Sequence, residues 1–218
     1  HAEALLRLID VWIAKGDLEA AEEVRLLAGN RLKTREHANL REVKALELVF
    51  LSGDQDSLLA FLGGQLAVLG PGDPYFNDLL ELSGLVRRFR GSSAAYGAFV
   101  RSEALLRQNR RSEAIALLTA SLNGELSPAT APVLQYRLAE LQARHGNHAE
   151  AEMLGLGLPE ESEFGELGLL LAAEVSDYLT GDSDRAAGYY LAFLDAYPLS
   201  IHADAARLRY RTLHPEAD

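Results

Sequence analysis

Residues 181–198, GDSDRAAGYYLAFLDAYP, decide the reading of this chain. A glycine turn at Gly181 is followed by Asp182, which can cap a helix, then by a small residue at Ala186, aromatics at Tyr189, Tyr190 and Phe193, and a closing Tyr197-Pro198. Glycine tolerates the left-handed conformation that ends one helix, and the following Asp satisfies the free amides that begin the next. A small residue five positions past the turn lets two helices pack closely. The segment therefore reads as one helical hairpin of a stacked repeat.

Weaker copies recur upstream. A turn residue followed five positions later by a small or aliphatic residue appears at Gly16/Ala21, Gly53/Leu58, Asn109/Ala114, Gly146/Ala151 and Gly181/Ala186. Successive turns lie 37, 56, 37 and 35 residues apart, against periods of about 34 to 47 for helical hairpin repeats. The interval of 56 calls for an extra helix. Asp17, Asp54, Asn147 and Asp182 stand where the second helix needs a cap, and Leu5, Leu8 and Trp12 fit an apolar stripe at helical spacing.

The resulting expectation is twelve helices and no strands, over residues 2–15, 18–29, 36–52, 55–69, 75–90, 93–108, 111–123, 129–145, 148–157, 164–180, 183–196 and 201–213. Pro71, Pro74, Pro128, Pro159 and Pro198 fall between helices, where a missing amide costs little, and Pro132 suits a first helical turn. Glycine and proline sit at turns and form no linker, so residues 1–218 read as a single helical repeat domain.

Composition narrows the function. With 48% hydrophobic and 24% charged residues the chain has the make-up of a packed globular protein. A net charge of −11 disfavours nucleic acid, whose phosphates demand a basic surface. No apolar run approaches the roughly 18 to 20 residues that span a bilayer. The absence of cysteine removes disulfides and thiol chemistry, and leaves both cytoplasm and periplasm open as compartments. The chain starts at His1, with Met153 its single methionine, which reads as a C-terminal fragment of a larger protein.

These residues resemble the tetratricopeptide repeat (TPR) family, whose unit of about 34 residues carries a central glycine, a later alanine and a closing proline. Gly181, Ala186, Tyr190 and Pro198 match four of its positions, with Phe193 in place of the usual alanine, and Gly16, Ala21 and Ala28 extend the likeness to the N-terminal unit. The segment YYLAFLDAYPLSIHADAARLRYRTL, residues 189–213, is similar to the closing repeat and capping helix of bacterial envelope-associated TPR proteins. NDLLELSGLVRRF (77–89) and SEALLRQNRRSEAIALL (102–118) look like degenerate repeats of large bacterial proteins of this type. The resemblance implies an all-α fold, a right-handed α-α superhelix, used as a scaffold that binds a peptide or protein segment on its concave face without catalysis. Two alternatives remain open: an accessory module beside an activity elsewhere in a larger chain, and a homo-oligomerisation module.

Transferring the family's groove positions nominates Tyr96, Phe99, Glu103 and Arg107 around the Asn109 turn, and Tyr136, Glu140 and Arg144 around the Gly146 turn. Aromatic anchors beside Arg and Glu suit peptide recognition. The same spacing also serves a core, and Glu/Arg pairs four apart steady a helix by about 0.2–0.5 kcal/mol. The family's carboxylate clamp of Lys and Asn is replaced here by Leu6, Asp10 and Ala14, and by Val43, Glu47 and Leu51, so recognition of a chaperone tail is not carried over.

Charge is segregated: residues 87–111 hold seven arginines against Glu103, while 145–184 hold ten acids and no Lys or Arg. Such patches can steer a partner or favour self-association. His145 and His148 straddle Gly146 rather than sharing a helical face, so no metal is expected. Gly63-Gly64 lies inside a helical pattern and Gly155-Leu156-Gly157 ends one, so neither reads as a phosphate loop, and no cofactor or enzymatic activity is expected.

Overall fold

The computed structural model describes residues 2–29 and 35–214. The described residues form twelve α-helices and no strand: α1 (Ala2–Lys15), α2 (Leu18–Gly29), α3 (Arg35–Leu51), α4 (Gln55–Val68), α5 (Phe76–Arg88), α6 (Ser93–Arg107), α7 (Arg111–Leu122), α8 (Ala131–His145), α9 (His148–Leu156), α10 (Glu163–Glu174), α11 (Ser183–Ala196) and α12 (Ala203–Leu213). A π-helical segment, Val175–Thr180, continues α10. By its contacts the chain divides into two compact units, 1–117 and 118–218, with the division inside α7.

All five expected turns are left-handed: Gly16, Gly53, Gly146 and Gly181 have φ between 72° and 91°, and Asn109 has φ 59°. Ala21, Leu58, Ala114, Ala151 and Ala186, five residues beyond them, are each completely buried. A sixth left-handed turn, at Gly91, lies inside the long interval and joins α5 to α6. Its fifth residue is Tyr96, too large for the small-residue pattern, so the copy escapes a search for small residues.

Caps follow the expected chemistry with one exception. Asp17 accepts from the Ala20 amide at 2.9 Å, Asp54 from Ser57 at 3.0 Å and Asp182 from Arg185 at 3.1 Å. Asn147 instead donates its side-chain amide to Gln142 at 2.7 Å.

In the first unit α1, α2 and α3 close around Leu6, Ile9, Ile13, Ala21, Val24 and Leu48. Leu5 and Trp12 pack against this core, whereas Leu8 is exposed, so the buried stripe of α1 runs one residue away from the expected one. Polar residues link three of its helices: Lys44 on α3 pairs with Asp10 on α1 and with Glu47, and Arg107 on α6 reaches both Glu47 and Glu103 at 3.1 Å.

In the second unit Ala173, Ala186, Tyr190, Phe193 and Ala206 form the core between α10, α11 and α12. Helices α9 and α10 touch through backbone at Gly155 and Gly168, where a Cβ on Gly155 would stand 2.6 Å from the Gly168 carbonyl oxygen. Gly155 thus serves close packing as well as the helix end.

The expected continuous helix 164–180 departs from α geometry after Glu174. Val175, Ser176 and Asp177 are three consecutive buried residues, more than one helical stripe can hide. The wider turn gives both polar ones partners: Ser176 donates to Glu152 at 3.1 Å, and Asp177 takes a two-pronged bond from Arg209 together with the Tyr190 hydroxyl at 3.2 Å.

Candidate functional site: a cleft beside the π-helical segment

The two nominated groups meet different surroundings. On α6, Tyr96 and Phe99 are buried, with the Phe89 ring 5.7 Å from Tyr96 and 5.3 Å from Phe99, and Phe50 edge-on to Phe99 at 6.1 Å. Burial and the charge of Asp54 push the Tyr96 hydroxyl up to about 12, and that hydroxyl has no hydrogen-bond partner among the described residues. Glu103 is buried and held by Arg107, whose guanidinium also serves Glu47. Partial burial would raise the Glu47 carboxyl, but Lys44 and Arg107 overcome that effect and hold it below its ordinary range. Three of the four α6 residues therefore carry packing and helix-to-helix pairing rather than open surface, and Arg107 alone is substantially exposed.

On α8, Tyr136, Glu140 and Arg144 share one wall of a cleft of about 290 Å³ within the second unit. Its floor is Ala143, Leu171 and Val175, which pack with the buried Ala151. The opposite wall is Glu174, Tyr178 and Leu179, with Tyr178 and Leu179 largely open to solvent. The cleft thus combines an apolar base, two tyrosines and a mixed-charge rim.

Each wall is fixed from behind. The Tyr136 ring lies 5.6 Å from Phe164, and burial together with Glu140 and Glu174 drives its hydroxyl up to about 12, so it stays a neutral donor. Glu140 accepts from Arg137 at 2.9 Å and lies 3.8 Å from Arg144. Glu174 reaches solvent, yet desolvation against the cleft wall and the nearby Asp177 raise its carboxyl against the lowering effect of His202. Arg209 lies 5.0 Å over the Tyr178 ring while gripping Asp177, which ties the π-helical wall to α12.

Sequence register finds the α8 wall and misses the other. Leu171, Glu174, Val175, Tyr178 and Leu179 stand at i, i+3, i+4, i+7 and i+8, the spacing of one helical face that runs from α10 into the π-helical segment, so the second wall shares its pattern with an ordinary core stripe. A local hint of the departure from α geometry was the run of apolar residues through 173 followed by the polar Ser176-Asp177.

The acidic stretch is also less bare than its composition implies. Glu152 is buried and receives Arg185 at 3.2 Å, and Asp177 receives Arg209, so arginines that follow the stretch in sequence pair with its two buried acids. His145 closes α8 and His148 opens α9, and among the described residues no three His, Asp or Glu converge as a metal would require. No described helix is long and apolar enough to cross a membrane. Comparison with protein-family models, curated proteins and solved structures finds no match.

Proposed function

We propose that the chain is a TPR-like superhelical scaffold that binds a peptide or protein segment without catalysis, and that the α8 cleft takes part in this recognition. The observation that carries the reading is the convergence of Tyr136, Glu140 and Arg144 with Tyr178 over the apolar floor of Leu171 and Val175. Rigid aromatic surface supplies contact area at small entropic cost, and Glu and Arg at the rim orient the polar backbone and charged side chains of a ligand. The six left-handed turns support the repeat reading.

Selection from a random peptide display library tests it. Selected peptides should bind the folded protein, and Tyr136→Ala or Arg144→Glu should weaken them by about ten-fold or more. If variants of undiminished helicity keep full affinity, the cleft is not the recognition surface.

A second reading, self-association, draws on Leu199 and Ile201, which are 97% and 91% exposed between α11 and α12. Large aliphatics that open to water favour a protein contact when they cluster. Light scattering across concentration decides it: a constant monomer mass excludes this reading, and a mass shift abolished by Leu199→Ser with Ile201→Ser supports it.

A further inference from the structure

The first unit holds a groove of about 350 Å³ that the α8 cleft does not explain. Its apolar lining includes Val43 of α3, Phe61 of α4 and Leu79 of α5. Val43 is about half exposed, as is Tyr75 at the groove edge, and neither position needs an apolar side chain for the core. The rim carries Glu42, Asp73 and Asp78, and among the described residues no basic side chain lines the groove.

The three acids are differently engaged. Glu42 accepts from Arg41 at 3.3 Å and from Gln65 at 3.4 Å, both long contacts. Asp73 accepts from the Tyr75 backbone amide at 2.9 Å, which leaves its charge unneutralised. No described side chain pairs with Asp78. An apolar channel edged by one sign of charge rejects an acidic ligand and favours one whose apolar side chains are flanked by cations. Its volume suits two or three side chains, as when a short segment anchors through residues on one face.

We propose that this groove is a second docking site, for a short cationic peptide segment that inserts apolar side chains over Val43, Phe61 and Leu79 and sets Lys or Arg against Asp73 and Asp78. It is independent of the α8 cleft, which has a mixed-charge rim.

Fluorescence anisotropy with two labelled peptides of about twelve residues tests it, one with Leu at helical spacing and Lys between, the other with Glu in place of Lys. The Leu/Lys peptide should bind saturably, lose affinity as salt rises, and exceed the Leu/Glu peptide by about ten-fold or more. Asp73→Lys with Asp78→Lys should weaken it about ten-fold, and Val43→Ser should weaken it while leaving the salt dependence in place. Glu160→Lys with Glu161→Lys, equal in charge change but on exposed residues of the second unit, should leave binding unchanged. Equal weakening by both charge reversals would mean attraction to the net charge alone and overturn the proposal. So would equal binding of the two peptides, or no saturable binding of the Leu/Lys peptide. Tyr136→Ala leaves this interaction intact, which separates its failure from that of the α8 cleft.

Discussion

Helices α6 and α8 hold aromatics and Glu/Arg pairs in the same repeat register, yet one set is packed away and the other lines a cleft. On α6, Tyr96 and Phe99 meet Phe89, which follows α5, and Phe50 at the end of α3. On α8, Tyr136 backs onto Phe164 and faces the π-helical segment, whose wider turn accompanies the open space in front of it. Register nominates positions, and the neighbouring element decides whether they pack or bind.

The widest separation should appear on truncation of the rings. Phe99→Ala removes a buried side chain and should cost about 3–5 kcal/mol. Tyr136→Ala, half-buried, should cost ~1–2 kcal/mol and act mainly on ligand affinity. Urea denaturation measures both, and the comparison breaks if the two losses are equal or reversed.

Arg209→Ala should rank next. It strands Asp177, whose side chain is 2% exposed, without its cation. Stranding a carboxylate away from water destabilises, but the Arg209 side chain is one-third open to water and solvent screens the pair, so the loss should fall below that of Phe99→Ala. The same change frees the π-helical wall, so affinity for peptides selected on the α8 cleft should fall with stability. Stability lost with affinity retained would show that the π wall does not shape the cleft.

A smaller and opposite effect is expected at Tyr96→Phe. The Tyr96 hydroxyl is buried without a partner among the described residues, and removing it relieves a desolvation cost, so the variant should gain ~1 kcal/mol. A loss of stability would reveal a bond to that hydroxyl and place α6 closer to a polar site than to a core.

The local features of the fold were legible in the sequence. Gly16, Gly53, Asn109, Gly146 and Gly181 declare their turns because left-handed backbone restricts residue choice, and Asp17, Asp54 and Asp182 declare their caps. Gly91 was hidden because Tyr96 occupies the position where a small residue was sought. The second wall of the cleft was passed over for another reason: its helical spacing is that of a core stripe, and the π turn beside it goes with tertiary partners, Glu152 for Ser176 and Arg209 for Asp177, that lie 24 and 32 residues away.

The finest contrast between the units lies in how two carboxylates answer acid. Glu47, paired with Lys44 and Arg107, has its pKa lowered by folding, so it stabilises the fold above the ordinary carboxylate range and that contribution fades as pH falls through its lowered value. Glu174 is raised, first by desolvation and then by Asp177, against His202. Its ionisation opposes folding, a cost absent below the ordinary range and fully present once pH has risen through its raised value. Near neutral pH, Glu47→Gln should therefore destabilise by ~1 kcal/mol or less, and Glu174→Gln should stabilise slightly. Both differences should shrink toward zero as pH drops below about 4, where each wild-type carboxylate is increasingly protonated. Urea midpoints of the two variants against the parent, taken from neutral to acid pH, read the signs directly. Shifts of the same sign would mean that the cleft carboxylate is paired like the one that joins α3 to α6, and the electrostatic distinction between the two sites would go.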